Sequence, residues 1–137
     1  MAFAFPATWA PQIRSVLRIV AGLMFMLHGT QKMVGFPDPG AKLQAHAPTL
    51  IKAAGMIEIV CGALIAVGLL TSIAAFIASG EMAVAYFKQH AGDGFWPTLN
   101  GGELPVLYCF VFLYFAFAGP GPWSIDAMMG RGRGRRV

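Results

Sequence analysis

The stretch IKAAGMIEIVCGALIAVGLLTSIAAFIASGEMAVAYF, residues 51–87, decides the fold class of this chain. It holds two apolar runs, residues 51–70 and 73–87, with only Thr71 and Ser72 between them. A helix of about 20 apolar residues crosses the roughly 30 Å hydrocarbon core of a bilayer. A connection as short as this one makes two consecutive helices antiparallel neighbours. The stretch therefore predicts a hairpin of two transmembrane helices, with the turn at Thr71-Ser72.

Two further apolar runs, residues 13–34 and 104–118, flank this hairpin. The run from residue 73 continues through Lys88-Gln89-His90, and the last run is shorter than a straight span, so one of these two helices is expected to be tilted, partly interfacial or longer than its apolar part. No charged residue precedes the first run, so we expect a retained helix and not a cleaved signal. We predict an all-α, multi-pass membrane protein with one domain, residues 1–137. It is an antiparallel bundle of four transmembrane helices at about 13–34, 51–70, 73–90 and 104–118, followed by a basic tail, 127–137.

The composition agrees with a membrane protein. Of the 137 residues, 57% are hydrophobic and only 12% are charged, against about 45–50% and about 25% in ordinary soluble domains. This argues against a soluble enzyme, and the high hydrophobicity argues against a disordered chain. The two cysteines are too few for a secreted disulfide framework and have no zinc spacing. No metal site is expected.

The distribution of basic residues predicts the orientation. Four spans place both termini on one side, together with Arg14, Arg18 and the four arginines of residues 131–136, while the other side holds Lys32, Lys42, Lys52 and Lys88. The positive-inside rule then places both termini in the cytoplasm and the chain in the inner (plasma) membrane. Because arginines next to a span bind anionic lipid, the tail is expected to anchor the chain to the lipid bilayer, and no nucleic acid partner is predicted.

Ionisable residues inside the predicted spans are the candidates for a functional site, since a charge in the bilayer is costly. At 1.5 Å per helical residue, Glu58 and Glu81 lie about 20 and 15 Å from the turn at Thr71, and His28 lies about 22 Å from Ile13. His28, Gln31 and Lys32 share one helical face, being three and four residues apart. We therefore predict one polar cluster in the outer half of the bundle, made of His28, Gln31, Lys32, Glu58, Glu81 and Tyr108.

Two interpretations of this cluster are open. Two neighbouring buried carboxylates cannot both ionise at low cost, so a proton is shared or Lys32 or His28 compensates the charge. Such a group suits proton-coupled chemistry on a lipid quinone, with Glu58, Glu81 and His28 as catalytic residues and His28, Gln31, Lys32 and Tyr108 as quinone-binding residues. The same contacts can instead serve only to clamp the helices together.

The two cysteines, Cys61 and Cys109, fall at similar predicted depth. A redox pair is one interpretation. The other is that each is a small apolar packing residue at a helix interface.

Four motifs follow one another along the chain: Arg18-x3-Gly22-x2-Phe25-x2-His28-Gly29-x-Gln31-Lys32, Glu58-x3-Gly62-x-Leu64-x3-Gly68-Leu69-Leu70-Thr71, Asn100-Gly101-Gly102-Glu103 and Gly119-Pro120-Gly121-Pro122-Trp123-Ser124-Ile125-Asp126. In their order and spacing, from about Arg18 to Asp126, they resemble the DoxX family of small four-helix membrane proteins. The resemblance implies a four-helix bundle and, for the namesake members, a small subunit of a thiosulfate:quinone oxidoreductase. Other members are similar to membrane partners in thiol and oxidative-stress systems. The motif residues that carry over are His28, Gln31, Lys32, Glu58, Glu103 and Asp126.

Three functions follow as hypotheses. The first is a subunit of a quinone-linked membrane oxidoreductase acting in sulfur or thiol redox chemistry. The alternative is a non-catalytic accessory subunit of a larger energy-transducing complex, docked through exposed aromatic residues and through small-residue faces at Gly22, Gly55, Gly62 and Gly68. A small transporter or proton path is the third. The chain has no dinucleotide-binding motif, so no intrinsic cofactor is predicted. A lipid quinone is the candidate ligand, other membrane subunits are the expected partners, and the chain is not expected to be a complete enzyme.

Overall fold

The computed structural model describes residues 5–130, so the arginines of the predicted basic tail, residues 131–136, lie outside the described residues. The chain is all-α over this range, as predicted, and no strand occurs in it. The helices are α1 Ala10–Val34, α2 Thr49–Val67, α3 Thr71–Gln89, α4 Pro97–Asn100, α5 Glu103–Ala118 and α6 Ile125–Met128.

Pro and Gly residues set most of the helix ends. Pro11 lies in the first turn of α1, where the absence of its N–H costs no hydrogen bond. Gly35 ends α1 in the left-handed conformation, and its N–H donates to the carbonyl oxygens of Thr30 and Gln31 at 3.0 and 3.1 Å. A glycine takes this conformation without the steric cost that a Cβ would bring. The start of α1 is therefore a little earlier than predicted, and its end at Val34 is as predicted.

The predicted turn between the two central helices is wrong. Thr71 and Ser72 are the first residues of α3, and the turn is formed by residues 68–70 instead. Gly68 ends α2 with a φ of 72°, and the carboxylate of Asp126 accepts hydrogen bonds from the backbone N–H groups of Leu70 and Thr71 at 3.0 and 2.9 Å. These two groups lie at the start of α3, where N–H groups have no partner within the helix. A residue distant in sequence thus caps α3, and α2 ends before the predicted residue 70.

The long helices pack mainly in two pairs, α1 against α2 and α3 against α5. In the first pair, a Cβ at Gly22 would lie 2.6 Å from the backbone nitrogen of Ala66, and a Cβ at Gly29 would lie 2.6 Å from the carbonyl oxygen of Gly55. The glycines therefore allow the two backbones to touch, as small residues do between membrane helices. In the second pair, the Ser79 hydroxyl donates to the carbonyl oxygen of Cys109 at 2.7 Å.

This packing corrects the predicted docking faces. A Cβ at Gly62 would lie 2.6 Å from the backbone nitrogen of Met26, and Gly55 lies against Met33. Gly68 lies against Arg18 and Ser124. The small residues that were expected to receive a partner subunit are thus covered by other parts of the same chain.

The bundle has two ends of different character. We call the end with residues 35–48 and 90–102 the loop end, and the end with the α2–α3 turn and α6 the terminal end. Between them lies an apolar core in which Phe25, Ile65, Phe112 and Phe115 each have 0% of their surface exposed. The core separates the polar groups of the two ends.

Arg18 is the central polar residue of the terminal end, with 0% of its surface exposed. Its Nε donates to the Pro120 carbonyl oxygen at 2.7 Å, and its Nη1 donates to the carbonyl oxygens of Ile65 and Ala66 at 2.5 and 2.7 Å. Its Nη2 donates to the carbonyl oxygen of Trp123. From the sequence, Arg18 was predicted to set the orientation, and it is the first residue of the family motif. The structure shows that it ties the end of α2 and the segment after α5 to α1.

Two of the described helical stretches, Ala7–Val34 and Thr49–Val67, are long and apolar enough to cross a membrane. The helix Glu103–Ala118 is apolar but shorter. The number of spans, predicted as four, therefore stays a prediction.

Candidate functional site

A cavity of about 790 Å³ lies at the loop end, between α1, α2, α3 and α5. Apolar side chains line most of it, and all six residues of the predicted polar cluster contribute to its wall: His28, Gln31, Lys32, Glu58, Glu81 and Tyr108. The structure thus brings together the side chains that helix lengths alone placed at one depth. A concave, mostly apolar site with a few convergent polar groups is typical of small-molecule binding.

An ion pair joins α1 and α2 in the wall of this cavity. The ammonium of Lys32, in the last turn of α1, lies 2.6 Å from the Oε1 atom of Glu58 on α2. The close approach of Gly29 and Gly55 brings the two helices near enough for this contact. The Glu58 side chain is 3% exposed and that of Lys32 is 32% exposed, so the carboxylate is buried while the ammonium has donors left for another acceptor. The second oxygen of Glu58 has no hydrogen-bond partner among residues 5–130.

Glu81 lies on α3 and also lines the cavity. Both of its carboxyl oxygens are buried, and neither has a hydrogen-bond partner in the described part of the chain. A buried polar group without a partner costs about 1–3 kcal/mol, and more if it is charged. A ligand with a hydrogen-bonding group in the cavity would remove this cost.

The rings of His28 and Tyr108 close the side of the cavity between α1 and α5. Their centroids are 6.1 Å apart and their planes are nearly perpendicular, at 88°. Tyr108 also stacks on Phe112 at 5.3 Å and contacts Phe25 at 5.5 Å, so its ring is held by the core. Its buried hydroxyl has no hydrogen-bond partner within residues 5–130. Tyr108 is thus the third residue of the cavity, with Glu58 and Glu81, that has a buried polar atom without a partner.

A small network that the sequence analysis did not predict holds the rim of the cavity. The Asn100 side chain donates to the Gly94 carbonyl oxygen at 2.7 Å and to the Tyr86 hydroxyl at 3.2 Å. That hydroxyl donates to the carbonyl oxygen of Phe95. His90 Nδ1 lies 3.1 Å from the Asn100 carbonyl oxygen, and His90 is part of the cavity wall. The turn motif Asn100-Gly101-Gly102 was the available signal, because Asn side chains often bond nearby backbone in turns.

Two residues of the family motif lie outside the cavity. Glu103 is exposed in the first turn of α5, where the helix dipole favours a negative charge. Asp126 is 6% exposed at the opposite end of the bundle, where it caps α3. Their roles in this structure are therefore separate from those of the cavity residues.

The two cysteines carry free thiols. Cys61 is buried in the core, and the Sγ atom of Cys109 lies 3.6 Å from the Ser79 hydroxyl at the α3–α5 interface. The structure therefore shows no disulfide between them, and both occupy packing positions.

Comparisons with known proteins agree with the resemblance seen in the sequence. The model of the DoxX family matches residues 13–91. An uncharacterized protein of Haemophilus influenzae is 48% identical over 123 residues, which cover 86% of this chain and 91% of that protein. An uncharacterized membrane protein of Mycobacterium tuberculosis is 30% identical over 131 residues, which cover 84% of this chain and 80% of that protein. No solved structure matches the chain.

Proposed function

Because this chain belongs to the DoxX family of membrane proteins, we propose that its loop-end cavity binds the ring of a lipid quinone and that the chain is the quinone-facing subunit of a membrane oxidoreductase. The observation that carries this proposal is the carboxyl group of Glu81, which is buried without a hydrogen-bond partner among residues 5–130 and lies in the same cavity as the Lys32–Glu58 pair. The two carbonyl oxygens of a quinone ring accept hydrogen bonds, so they match the ammonium of Lys32 and the O–H of a protonated Glu81 carboxyl group.

The proposal includes four transmembrane spans. Large apolar side chains on α3 and α5 point outward, with Phe76, Phe110 and Phe117 exposed by 61%, 65% and 77%. Apolar surface of this extent is unusual on a soluble monomer and suits contact with lipid. The positive-inside rule then gives the inner membrane and cytoplasmic termini, with the cavity in the outer half of the bilayer.

In quinone reduction, the cavity residues would have two different roles. Reduction of a quinone to a quinol adds two electrons and two protons, one proton at each ring oxygen. Lys32, His28 and Tyr108 supply hydrogen bonds to the ring oxygens, while Glu81 and Glu58 pass protons, as positioned carboxyl groups do in general acid–base catalysis. The electrons come from a partner subunit, which we place among enzymes that oxidise sulfur compounds or thiols, in line with the family resemblance.

The other two hypotheses have less support. The accessory-subunit hypothesis relied on exposed aromatic residues and on small-residue faces, and of the small residues Gly22 and Gly62 are occupied by the α1–α2 contact. A transport path would have to pass the core at Phe25 and Phe112, both fully buried.

Binding of decylubiquinone to the full chain in lipid nanodiscs tests the proposal. We expect Glu81→Leu to weaken binding by about threefold to tenfold, because a protonated Glu81 carboxyl group would donate one neutral hydrogen bond to a ring oxygen, which contributes about 0.5–1.5 kcal/mol, and each 1.4 kcal/mol is tenfold. Glu103→Leu is the matched control, since Glu103 is exposed and outside the cavity, and it should bind like the native chain. In the membrane complex, Glu81→Gln should lower the rate of quinone reduction by about a hundredfold or more, the usual contribution of a general acid or base. A native chain that does not bind decylubiquinone, or a Glu81→Leu variant that binds it unchanged, would refute the proposed function.

A further inference from the structure

Several residues that line the cavity also have a large exposed fraction. On α3 these are Ile77 and Val84, exposed by 46% and 50%, together with Gly80. On α2, Ala53 is exposed and Ile57 is half-buried. A side chain that both lines a cavity and is exposed outside marks a place where the cavity opens.

This exposed wall runs along the helices and not only around the loops. From Ile77 to Lys88, which also lines the cavity, α3 rises about 16 Å at 1.5 Å per residue. The opening therefore extends from the loop end far down the outer face of the bundle, to depths where the proposed four-span arrangement places lipid.

Side-chain and backbone contacts cross the other sides of the cavity below its rim, where Leu104 of α5 is also exposed. The Gly29–Gly55 contact closes the α1–α2 side, and the contact between the His28 and Tyr108 rings closes the α1–α5 side. Between α3 and α5, a Cβ at Gly102 would lie 2.7 Å from the Tyr86 ring. Between α2 and α3, the lining residues Ile77 and Gly80 are exposed at mid-height on α3, and on α2 the exposed Ala53 is followed one turn further by the half-buried Ile57.

We propose that the cavity opens laterally to the lipid between α2 and α3, and that the aliphatic tail of the bound quinone lies in this opening while its ring contacts Glu81. This inference rests on the proposed function and adds the route and the tail position. We define the lateral opening by Ala53, Ile57, Ile77, Gly80 and Val84.

The chemistry of the lateral opening matches a lipid tail. Its residues are small or aliphatic, whereas the inner end of the same cavity holds the Lys32–Glu58 pair and Glu81. An amphipathic molecule with a hydrogen-bonding ring and an apolar tail fits this gradient from polar to apolar. At Gly80, a Cβ would meet no atom of residues 5–130 within 4 Å, so these residues leave the space at the centre of the opening unfilled.

The test compares two probes on the full chain in lipid nanodiscs: decylubiquinone and the same dimethoxy-methyl-benzoquinone ring without its tail. Gly80→Phe places a ring in the lateral opening. Because nothing lies near the Gly80 Cβ position, we expect this variant to fold, as checked by its helical circular dichroism and its elution as a single species. The matched control is Ile73→Phe, two helical turns away on α3 at a position that is 63% exposed and does not line the cavity.

We expect Gly80→Phe to weaken the binding of decylubiquinone by about tenfold or more and to change the binding of the tail-less ring by less than about twofold. Ile73→Phe should leave both values unchanged. Equal affinities of Gly80→Phe and the native chain for decylubiquinone would overturn the lateral opening while leaving the proposed function in place. Equal loss for both probes would also overturn it, because the tail would then have no separate position. If the native chain binds neither probe, the proposed function fails and this inference fails with it.

Discussion

Replacing Arg18 with methionine tests the role of the terminal end. The substitution keeps an unbranched apolar stem but removes hydrogen bonds to four carbonyl oxygens, those of Ile65, Ala66, Pro120 and Trp123. At about 1.5–3 kcal/mol for a hydrogen bond from a charged group, the gross loss is about 6–12 kcal/mol. Water can reach part of this end once the guanidinium is gone, so we expect a net loss of about 3–5 kcal/mol in the free energy of unfolding, the range for disrupting a buried charged network.

The assay is reversible unfolding by sodium dodecyl sulfate in mixed micelles, followed by circular dichroism. Arg14→Met is the matched control, because Arg14 lies one turn earlier on α1 and makes a single hydrogen bond, to the Ala118 carbonyl oxygen at 2.8 Å. It should lose only about 1–2 kcal/mol. Arg18→Lys keeps the charge but not the planar fork of donors and should fall between the two. If Arg18→Met unfolds within about 1 kcal/mol of the native chain, the hydrogen bonds at the terminal end do not hold it together and the reasoning is wrong.

The remaining predictions concern the helix contacts, and the same unfolding assay measures them. Gly22→Ala should cost about 1–3 kcal/mol, because its Cβ would lie 2.6 Å from a backbone nitrogen of Ala66 that cannot move alone. Gly80→Ala, with open space at its Cβ, should instead be neutral or slightly stabilising, and an equal loss for both would contradict the close α1–α2 contact. Asp126→Asn should cost about 1–3 kcal/mol, since an amide offers only one acceptor to the N–H groups of Leu70 and Thr71. A variant as stable as the native chain would show that Asp126 is not the cap of α3.

The polar cluster is the part of the site that the sequence could predict. Glu58 and Glu81 could be placed at one depth by counting residues from the hairpin, because helical rise per residue is constant. His28 and Lys32 could be placed on one face by their spacing of four. The structure places these four residues in one cavity wall, which also requires that the faces carrying them turn toward one another.

The turn and the terminal end could not be predicted in the same way. Thr71 and Ser72 look like a turn because they are the polar pair between apolar runs, yet they begin α3 since Asp126 supplies the missing acceptors. From the sequence alone, Arg18 looks like one of the basic residues that set the orientation of the chain in the membrane. Its four carbonyl partners come from segments 47 to 105 residues away, and no local pattern indicates them.

The opening between α2 and α3 could not be predicted from the sequence either. Gly22 and Gly80 are both glycines within apolar helices, but a Cβ at the first would strike the neighbouring backbone and a Cβ at the second would meet nothing. Residue type and local hydrophobicity therefore do not distinguish the two positions.

The sequence by itself determined the helices, their lengths and the height of each ionisable residue along them, because apolar runs and a fixed rise per residue are local properties of the chain. The tertiary structure decided which face of each helix turns inward, which glycines are covered and where the cavity opens. Those features depend on the rotation and tilt of each helix, and these are set by contacts such as Gly29 with Gly55 and Arg18 with the end of α2, which form only when distant segments pack together.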